Sequence, residues 1–360
     1  MGIKCQINLS KLSDGIYSAS GTVSGIIQYT VDEVTVFDKI TVSLKGHGTL
    51  IVHDQRDNAS YDNYSFTRRE TYIDEDIVTK NEKKTPHEIG THEKKFHFKL
   101  PDKLPSSLCY YGTNTRFRVR CNIIYYVRIK FEKPGFLQFA KRFKRELTVK
   151  SQIKPTLLTQ PVIYGEQKKI FQLIPSKNSI VNIKANIKKS VVSPGGTIDL
   201  EYDVRNDTTN VTVKGVETKL TEIYTFTTSC GREIKIHRAV DSTETKTGSI
   251  KSEEEKHFDL NINVPIDKFS LGHSNIVTRN YLVQIIAELP FPHTNVVLEI
   301  PVEICDVIQE TEVGIDTVQE IGLNANQASQ GPSSHNPPPS YWAAMGEELK
   351  TEDLNSDTIV

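Results

Sequence analysis

The sequence lacks the usual marks of a secreted, disulfide-stabilised or membrane-spanning protein. Its five cysteines are scattered over 360 residues without a Cys-x-x-Cys pair, which argues against a disulfide scaffold and a structural zinc site. No run of about 18 apolar residues could cross a bilayer, and the amino terminus has no apolar stretch typical of a signal peptide. We therefore expect a reduced, cytoplasmic protein.

Motifs of catalysis are also missing. The sequence has neither the glycine-flanked serine of a nucleophile elbow nor the lysine of a phosphate-binding loop. His92 and His97 lie one position too far apart for the helical spacing by which paired histidines bind zinc, and their surroundings indicate a strand. We therefore expect that the protein is not an enzyme and that it binds no metal, cofactor or nucleic acid.

Charge is unevenly distributed, although the net charge of the chain is only −1. Residues 306–360 contain ten acidic residues and one lysine, which gives a net charge of −9. Residues 1–150 contain 25 basic and 17 acidic residues, a net charge of +8, whereas residues 151–305 are balanced. A basic first half suggests that this part of the chain meets anionic partners.

The dominant pattern is the alternation of apolar and polar residues that is typical of β-strands. It is clearest from Arg116 to Phe131, where the odd positions are apolar or aromatic and most even positions are polar or basic. This alternation predicts a strand with one buried and one solvent-facing side. Helical periodicity is scarce, so an all-β protein built from antiparallel sandwiches is favoured.

Two charged stretches of the first half have more open interpretations. Residues 53–93 are polar, highly charged and rich in tyrosine, and we interpret them as a pair of hairpins with long turns. Residues 136–145 mix aromatic and basic side chains and predict a hairpin tip followed by its return strand. An amphipathic segment on a membrane surface is the alternative for this second stretch.

The pattern of the first half recurs in the second half. Residues 21–25 and 37–44 resemble residues 196–200 and 213–220, at an offset of 175 to 176 positions. Two copies of one sandwich in tandem are therefore predicted. After Cys305 the composition becomes polar and acidic, and such a segment cannot bury enough apolar surface to offset its chain entropy. The predicted parts are an N-terminal sandwich (5–150), a connector (151–178), a C-terminal sandwich (179–305) and a disordered tail (306–360).

A short proline motif stands out in the tail. Pro338, Pro339 and Tyr341 have the spacing of a Pro-Pro-x-Tyr (PPxY) ligand. Consecutive prolines favour an extended polyproline II conformation, which WW domains bind in aromatic-lined grooves. An ordinary proline-rich linker with a chance tyrosine is the alternative.

These landmarks, in their order, resemble those of the arrestin superfamily, and of the α-arrestins (arrestin-domain-containing proteins) in particular. The resemblance covers residues 5–305 and the tail, and it rests on residues 17–25, 104–108 and 192–198 together with the PPxY motif. Two features depart from the family pattern. Residues 48–52 contain no tryptophan where many members have one, and the tail has one PPxY motif where many members have two.

The resemblance implies two arrestin-type, immunoglobulin-like β-sandwiches and the role of an adaptor. Such an adaptor binds membrane receptors or transporters as cargo and recruits HECT-type ubiquitin ligases through their WW domains. It would act in the cytoplasm, at the plasma membrane and at endosomes, and promote ubiquitylation, endocytosis and endosomal sorting of the cargo. By the same resemblance, Pro338, Pro339 and Tyr341 would contact the WW domain. The alternatives are a retromer-like subunit of a sorting complex, with an incidental PPxY motif, and a pair of extracellular immunoglobulin-like modules.

Basic side chains on the solvent side of the long strand form a candidate anionic-ligand surface. Strand residues two apart lie roughly 6.6 Å apart on one face, a spacing that suits phosphates or carboxylates. Acidic or phosphorylated cargo tails and anionic lipid are the ligands that we expect, and a merely solvated face is the alternative. The candidate residues are Arg116, Arg118, Arg120, Arg128 and Lys130.

The last residues suggest one further partner. Thr358 and the terminal Val360 fit a class of PDZ-domain ligand. Such a ligand adds a strand to a sheet edge and places its carboxylate in a nest of backbone amides. A chance match of a short C-terminal sequence is the alternative.

Overall fold

β-Strands account for all the regular secondary structure in the computed structural model, which describes residues 2–10, 15–55, 65–135, 140–170 and 179–306. The predicted all-β class is therefore confirmed. The PPxY motif and the C-terminal PDZ-ligand residues lie outside the described residues, as does the rest of the tail after Asp306.

The first half forms a sandwich of two sheets. Its strands are β1 (Ile3–Leu9), β2 (Ile16–Ser18), β3 (Thr22–Val31), β4 (Lys39–Asp54), β5 (Ser65–Lys80), β6 (Gly90–Lys99), β7 (Leu108–Thr113), β8 (Phe117–Glu132) and β9 (Lys141–Lys150). One sheet has the order β1-β3-β6. The other has the order β2-β9-β8-β4-β5, and β7 pairs with β8.

The second half forms another sandwich. Its strands are β10 (Val162–Lys169), β11 (Ile180–Ile187), β12 (Val191–Val192), β13 (Thr197–Asn206), β14 (Gly215–Thr227), β15 (Glu233–Ala239), β16 (Thr245–Lys246), β17 (Glu254–Asn263), β18 (Val277–Glu288) and β19 (Val296–Ile304). One sheet has the order β10-β11-β13-β17. The other has the order β12-β19-β18-β14-β15, and β16 pairs with β14.

The two sandwiches share a common set of strand pairings, to which the second adds β10 at one sheet edge. The order β1-β3-β6 corresponds to β11-β13-β17, and β2-β9-β8-β4-β5 corresponds to β12-β19-β18-β14-β15. Even the parallel pairs correspond, since β2 pairs in parallel with β9 and β12 pairs in parallel with β19. The repeat that the sequence predicts is therefore a repeat of strand pairing.

The long alternating strand behaves as predicted. β8 has a strictly buried face, whose members are at most 7% exposed: Phe117, Val119, Cys121, Ile123, Tyr125, Val127, Ile129 and Phe131. Burial of one such side chain contributes roughly 1.5–3 kcal/mol before the entropy cost of ordering it. The strand begins at Phe117, one residue after the predicted start.

The strand pairing differs from the sequence interpretation in one place and adds a strand in another. Residues 53–93 do not form a pair of hairpins: β5 pairs with β4, and β6 pairs with β3 in the opposite sheet. The segment predicted as a connector contains β10, which pairs with β11 along its whole length. Both β5 and β10 are strands, but only the whole sandwich decides which neighbour supplies the hydrogen bonds of each.

The cores of the two sandwiches meet across the long strands. The buried cluster of the first sandwich also includes side chains of the second, namely Tyr224, Phe226, Ile234, Ile236, Leu271, Ile276 and Val277. The ring of Tyr110 on β7 lies 4.4 Å from that of Tyr224 and 4.9 Å from that of Phe226, measured between centroids. The two sandwiches therefore share part of one hydrophobic core.

Candidate functional site: a basic groove between two strand edges

Two strand edges of the first sandwich face one another across a groove. β1 is the outer strand of its sheet and pairs with β3. β9 pairs with β8, while β2 pairs with the other edge of β9 at Thr148–Lys150. Among the described residues, no strand pairs with the outer edge of β1 or with the β9 edge from Arg142 to Leu147. A groove of about 1250 Å³ lies between these two edges.

The walls of the groove combine apolar and basic side chains. Its apolar lining includes Ile7, Leu9, Leu108, Ile123, Phe143 and Leu147. Its basic lining is supplied by β9, from Arg142, Lys144 and Arg145. Within the described ranges, neither arginine forms an ion pair, whereas Lys144 Nζ lies 2.8 Å from Glu146 Oε1. The groove therefore keeps an excess of positive charge.

The protonation states of two groove residues follow from their shifted pKa values. The hydrogen bond from Lys144 to Glu146 raises the pKa of the Lys144 ammonium, so this lysine stays charged. Burial raises the pKa of the Cys5 thiol to about 11, so Cys5 stays protonated and is a poor nucleophile.

Open strand edges carry a row of backbone donors and acceptors that an extended peptide satisfies by adding a strand. The basic side chains of β9 favour an acidic segment, and the apolar lining favours alternate apolar residues facing inward. The chemistry of the groove thus fits an extended peptide with one acidic and one apolar face.

The basic residues predicted on the long strand are not equivalent in the structure. Arg116 precedes β8, its guanidinium lies 3.3 Å from Asp54 Oδ2, and it stacks 4.8 Å from the centroid of the Phe117 ring. Lys130 Nζ lies 2.6 Å from Glu132 Oε1. These two charges are therefore partly offset by neighbouring carboxylates.

The other three residues of this set lie on the outer face of the sheet. Arg128 donates to Ser43 Oγ at 3.4 Å. Arg118 and Arg120 are exposed, and in the part of the chain that the structure describes neither has a carboxylate partner. The exposed charge of the predicted surface is therefore concentrated at Arg118 and Arg120.

Sequence reasoning missed the groove itself. It interpreted residues 136–145 as a hairpin tip, and the structure indeed pairs Phe131 with Lys141 at the start of the β8–β9 hairpin. Residues 136–139 lie outside the described residues. The basic residues of β9 were visible in the sequence, but no local pattern shows that β1 lies opposite them.

Several other expectations concern metals and membranes. The two histidines of the near-zincin spacing, His92 and His97, both lie on β6. Within the described ranges, no group of three or more histidine, cysteine, aspartate or glutamate side chains is placed to hold a metal ion. The described residues also include no helix that is long and apolar enough to span a membrane.

Comparison with known families adds a match over each sandwich. The family model of the arrestin (or S-antigen) N-terminal domain matches residues 5–155. The family model of the arrestin (or S-antigen) C-terminal domain matches residues 177–309. No curated protein matches the chain. Together the two family models cover most of the chain, in the order that arrestin-domain-containing proteins have.

Proposed function

Because the chain belongs to the arrestin family, we propose that this arrestin-fold adaptor links membrane-protein cargo to HECT-type ubiquitin ligases and promotes ubiquitylation, endocytosis and endosomal sorting of that cargo. In this proposal the first sandwich binds cargo and the tail binds the ligase. The observation that carries the cargo half is the basic groove between the open edges of β1 and β9. In this proposal the protein acts in the cytoplasm, at the plasma membrane and at endosomes.

The groove offers the two features that binding of an extended peptide needs, which are backbone hydrogen bonds and side-chain pockets. Strand addition along β1 or β9 gives sequence-independent hydrogen bonds, and the pockets between alternate side chains give specificity. The charge of Arg142 and Arg145 selects an acidic cytoplasmic segment of a receptor or transporter and increases the rate of encounter. The exposed side chains of Arg118 and Arg120 would also attract anionic lipid in the membrane around the cargo.

The ligase half rests on the PPxY motif of the tail. Pro338 and Pro339 would fill the aromatic cleft of a WW domain, and Tyr341 would fill the neighbouring pocket. One short motif offers little contact area, so its affinity alone is modest. Since motif and groove belong to one chain, ligase and cargo are held at a raised effective concentration. Thr358 and Val360 would add a PDZ domain as a further partner.

A titration of the full chain with isolated WW domains of HECT-type ligases tests the ligase half. We expect saturable binding to at least one domain, abolished by Tyr341→Ala and unchanged by Tyr111→Ala, which alters an exposed tyrosine of the first sandwich. The absence of binding to every WW domain would refute the ligase role. A retromer-like subunit, which would form a stoichiometric complex with sorting-coat proteins, would then be the better interpretation.

A further inference from the structure

A second cavity of the first sandwich shares no lining residue with the basic groove. It has a volume of about 450 Å³ and is bounded by β3, the start of β4, the end of β5, β6 and the loop between β5 and β6. Six of the residues that line it carry the argument: Tyr29, Phe37, Lys80, His87, His92 and Lys94. We call this cavity the His87 pocket.

Its floor is an aromatic cluster. The His92 ring stacks on Tyr29 with centroids 5.3 Å apart, and the His87 ring lies edge-on to Phe37 at 5.1 Å. The two imidazoles are themselves 5.3 Å apart. Phe37 is 1% exposed and Tyr29 is 5% exposed, so the floor is part of the hydrophobic core. The pocket is therefore anchored in a rigid region of the sandwich.

Hydrogen bonds also fix the wall of the pocket. The backbones of Thr35 and His87 exchange two hydrogen bonds, of 3.1 and 2.7 Å. The Asn81 side chain donates to the Thr85 carbonyl at 2.7 Å and accepts from the Thr85 amide at 3.0 Å. The cavity is therefore held open by the fold.

Among the described residues, one nitrogen of the pocket has no hydrogen-bond partner and one ammonium has no counter-charge. His87 Nδ1 is buried, and no described residue makes a hydrogen bond to it. Lys94 Nζ contacts the Thr79 hydroxyl and forms no ion pair within the described ranges. A buried polar atom without a partner is costly and rare in native structures. Both groups would be satisfied by one oxyanion.

The carboxylates at the pocket do not supply that oxyanion. Glu93 Oε1 accepts a hydrogen bond from Gln28 Nε2 at 2.7 Å. Glu88 is an exposed residue of the loop, and it is its backbone carbonyl that bonds to His92 Nε2 at 2.9 Å. Because a carbonyl only accepts, His92 Nε2 is the protonated nitrogen.

We propose that the His87 pocket binds a small phosphate monoester between His87, Lys94 and Lys80. Phosphate oxygens accept from the two lysines and from a protonated His87, and the ester group occupies the remaining volume of the pocket. Ligand pockets commonly have volumes of about 300–1000 Å³, so the cavity has room for a small ring with one phosphate. The phosphate could be that of a free metabolite or of a lipid headgroup, and the experiment below separates these sources.

Binding of a phosphate would be linked to protonation of the pocket. Burial lowers the pKa of His87, and the nearby His92 and Lys94 lower it further. Burial also lowers the pKa of Lys94. A dianion would raise both pKa values, so the affinity should rise as the pH falls. The groups that face His87 from the surrounding elements are Tyr29 of β3, Lys80 of β5, Glu88 of the loop, and His92, Glu93 and Lys94 of β6.

The test is calorimetric titration of the full chain with inositol monophosphate and adenosine monophosphate, with inositol and adenosine as unphosphorylated controls. We expect saturable binding of a phosphorylated probe, weakened by about tenfold or more in Lys94→Met. Lys168→Met is the matched control, because Lys168 also contacts a threonine hydroxyl, that of Thr294 in the second sandwich. Binding should strengthen as the pH falls from about 7.5 to about 6.5, a window in which the phosphate stays mostly dianionic because its second pKa is about 6. The His87 ring protons should shift downfield at the same time.

The lipid arm uses phosphatidylcholine vesicles with and without phosphatidylinositol phosphate. Binding only to the phosphorylated vesicles, lost in Lys94→Met, supports the headgroup source, whereas binding only of the soluble probes supports a free metabolite. Equal binding by wild type and Lys94→Met in both arms overturns the proposal, as does a failure of all probes. WW-domain binding of the same samples is unaffected by either outcome, so the adaptor proposal is tested separately.

Discussion

Glu70 of the first sandwich binds Asn275 of the second sandwich through two hydrogen bonds. The Asn275 backbone amide donates to Glu70 Oε2 at 2.9 Å, and its side-chain nitrogen donates to Oε1 at 2.6 Å. Ser274 Oγ and Tyr72 Oη also donate to Oε2, at 3.2 and 3.0 Å. One carboxylate thus joins β5 to the loop that precedes β18.

Removal of this carboxylate should loosen the junction. Hydrogen bonds to a charged group contribute about 1.5–3 kcal/mol, and Glu70→Ala leaves several donors without an acceptor. We expect a loss of stability of about that size, measured by denaturant unfolding, with faster amide exchange in the loop around Asn275. Glu75→Ala on the exposed part of the same strand is the control. Equal stability of the two variants would contradict a structural role for Glu70.

The approach of the sandwiches also depends on Gly48 of β4. A Cβ atom at this position would lie 2.5 Å from Tyr72 Oη and 2.6 Å from Ile276 Cδ1. Overpacking of this kind typically costs about 1–3 kcal/mol, so Gly48→Ala should lower the unfolding midpoint. Gly248→Ala is the control, because nothing lies within 4 Å of the added atom. An unfolding midpoint equal to that of the control would show that the side chains at the interface move aside at little energetic cost.

Titration with an acidic peptide should show whether cargo binds in the groove or on the exposed face of β8. We expect Arg142→Glu with Arg145→Glu to weaken binding of an acidic cargo peptide by about tenfold or more, and to reduce its dependence on salt. Arg118→Glu with Arg120→Glu tests the exposed face of β8 in the same fluorescence titration. A loss confined to this second pair would place the cargo site on the sheet face and not in the groove.

A surface ion pair of the second sandwich predicts a local pH dependence. His257 Nδ1 lies 2.7 Å from Asp203 Oδ1, and this hydrogen bond is the first cause of a raised pKa for His257. The stabilisation is fully present below the pKa of the unfolded chain and is lost as the pH rises through the raised value. An NMR titration of the ring should show the raised pKa, and Asp203→Asn should lower it. An unchanged midpoint in this variant would contradict the pairing.

Individual strands could be read from the sequence because alternation is a local property. β8 needs only its own residues to show which side is buried, and the 175-residue offset between β3 and β13 shows that the design is repeated. The basic character of β9 was equally visible. What remained hidden was pairing: β5 and β6 are adjacent in sequence but belong to different sheets.

The two candidate pockets could not have been found in this way. The basic groove joins β1 to β9, which are more than 130 residues apart in the sequence, and the His87 pocket needs Tyr29, Phe37 and His87 to meet. The Glu70–Asn275 contact spans 205 positions. Such contacts depend on closure of the sandwich and on docking of one sandwich against the other. The sequence by itself determined the clearly alternating strands such as β8, their buried faces, the tandem repeat and the tail motif, because each is visible as a pattern along the chain. Only the tertiary structure decided which edges stay open and which distant charges converge, because these depend on how the sheets pack.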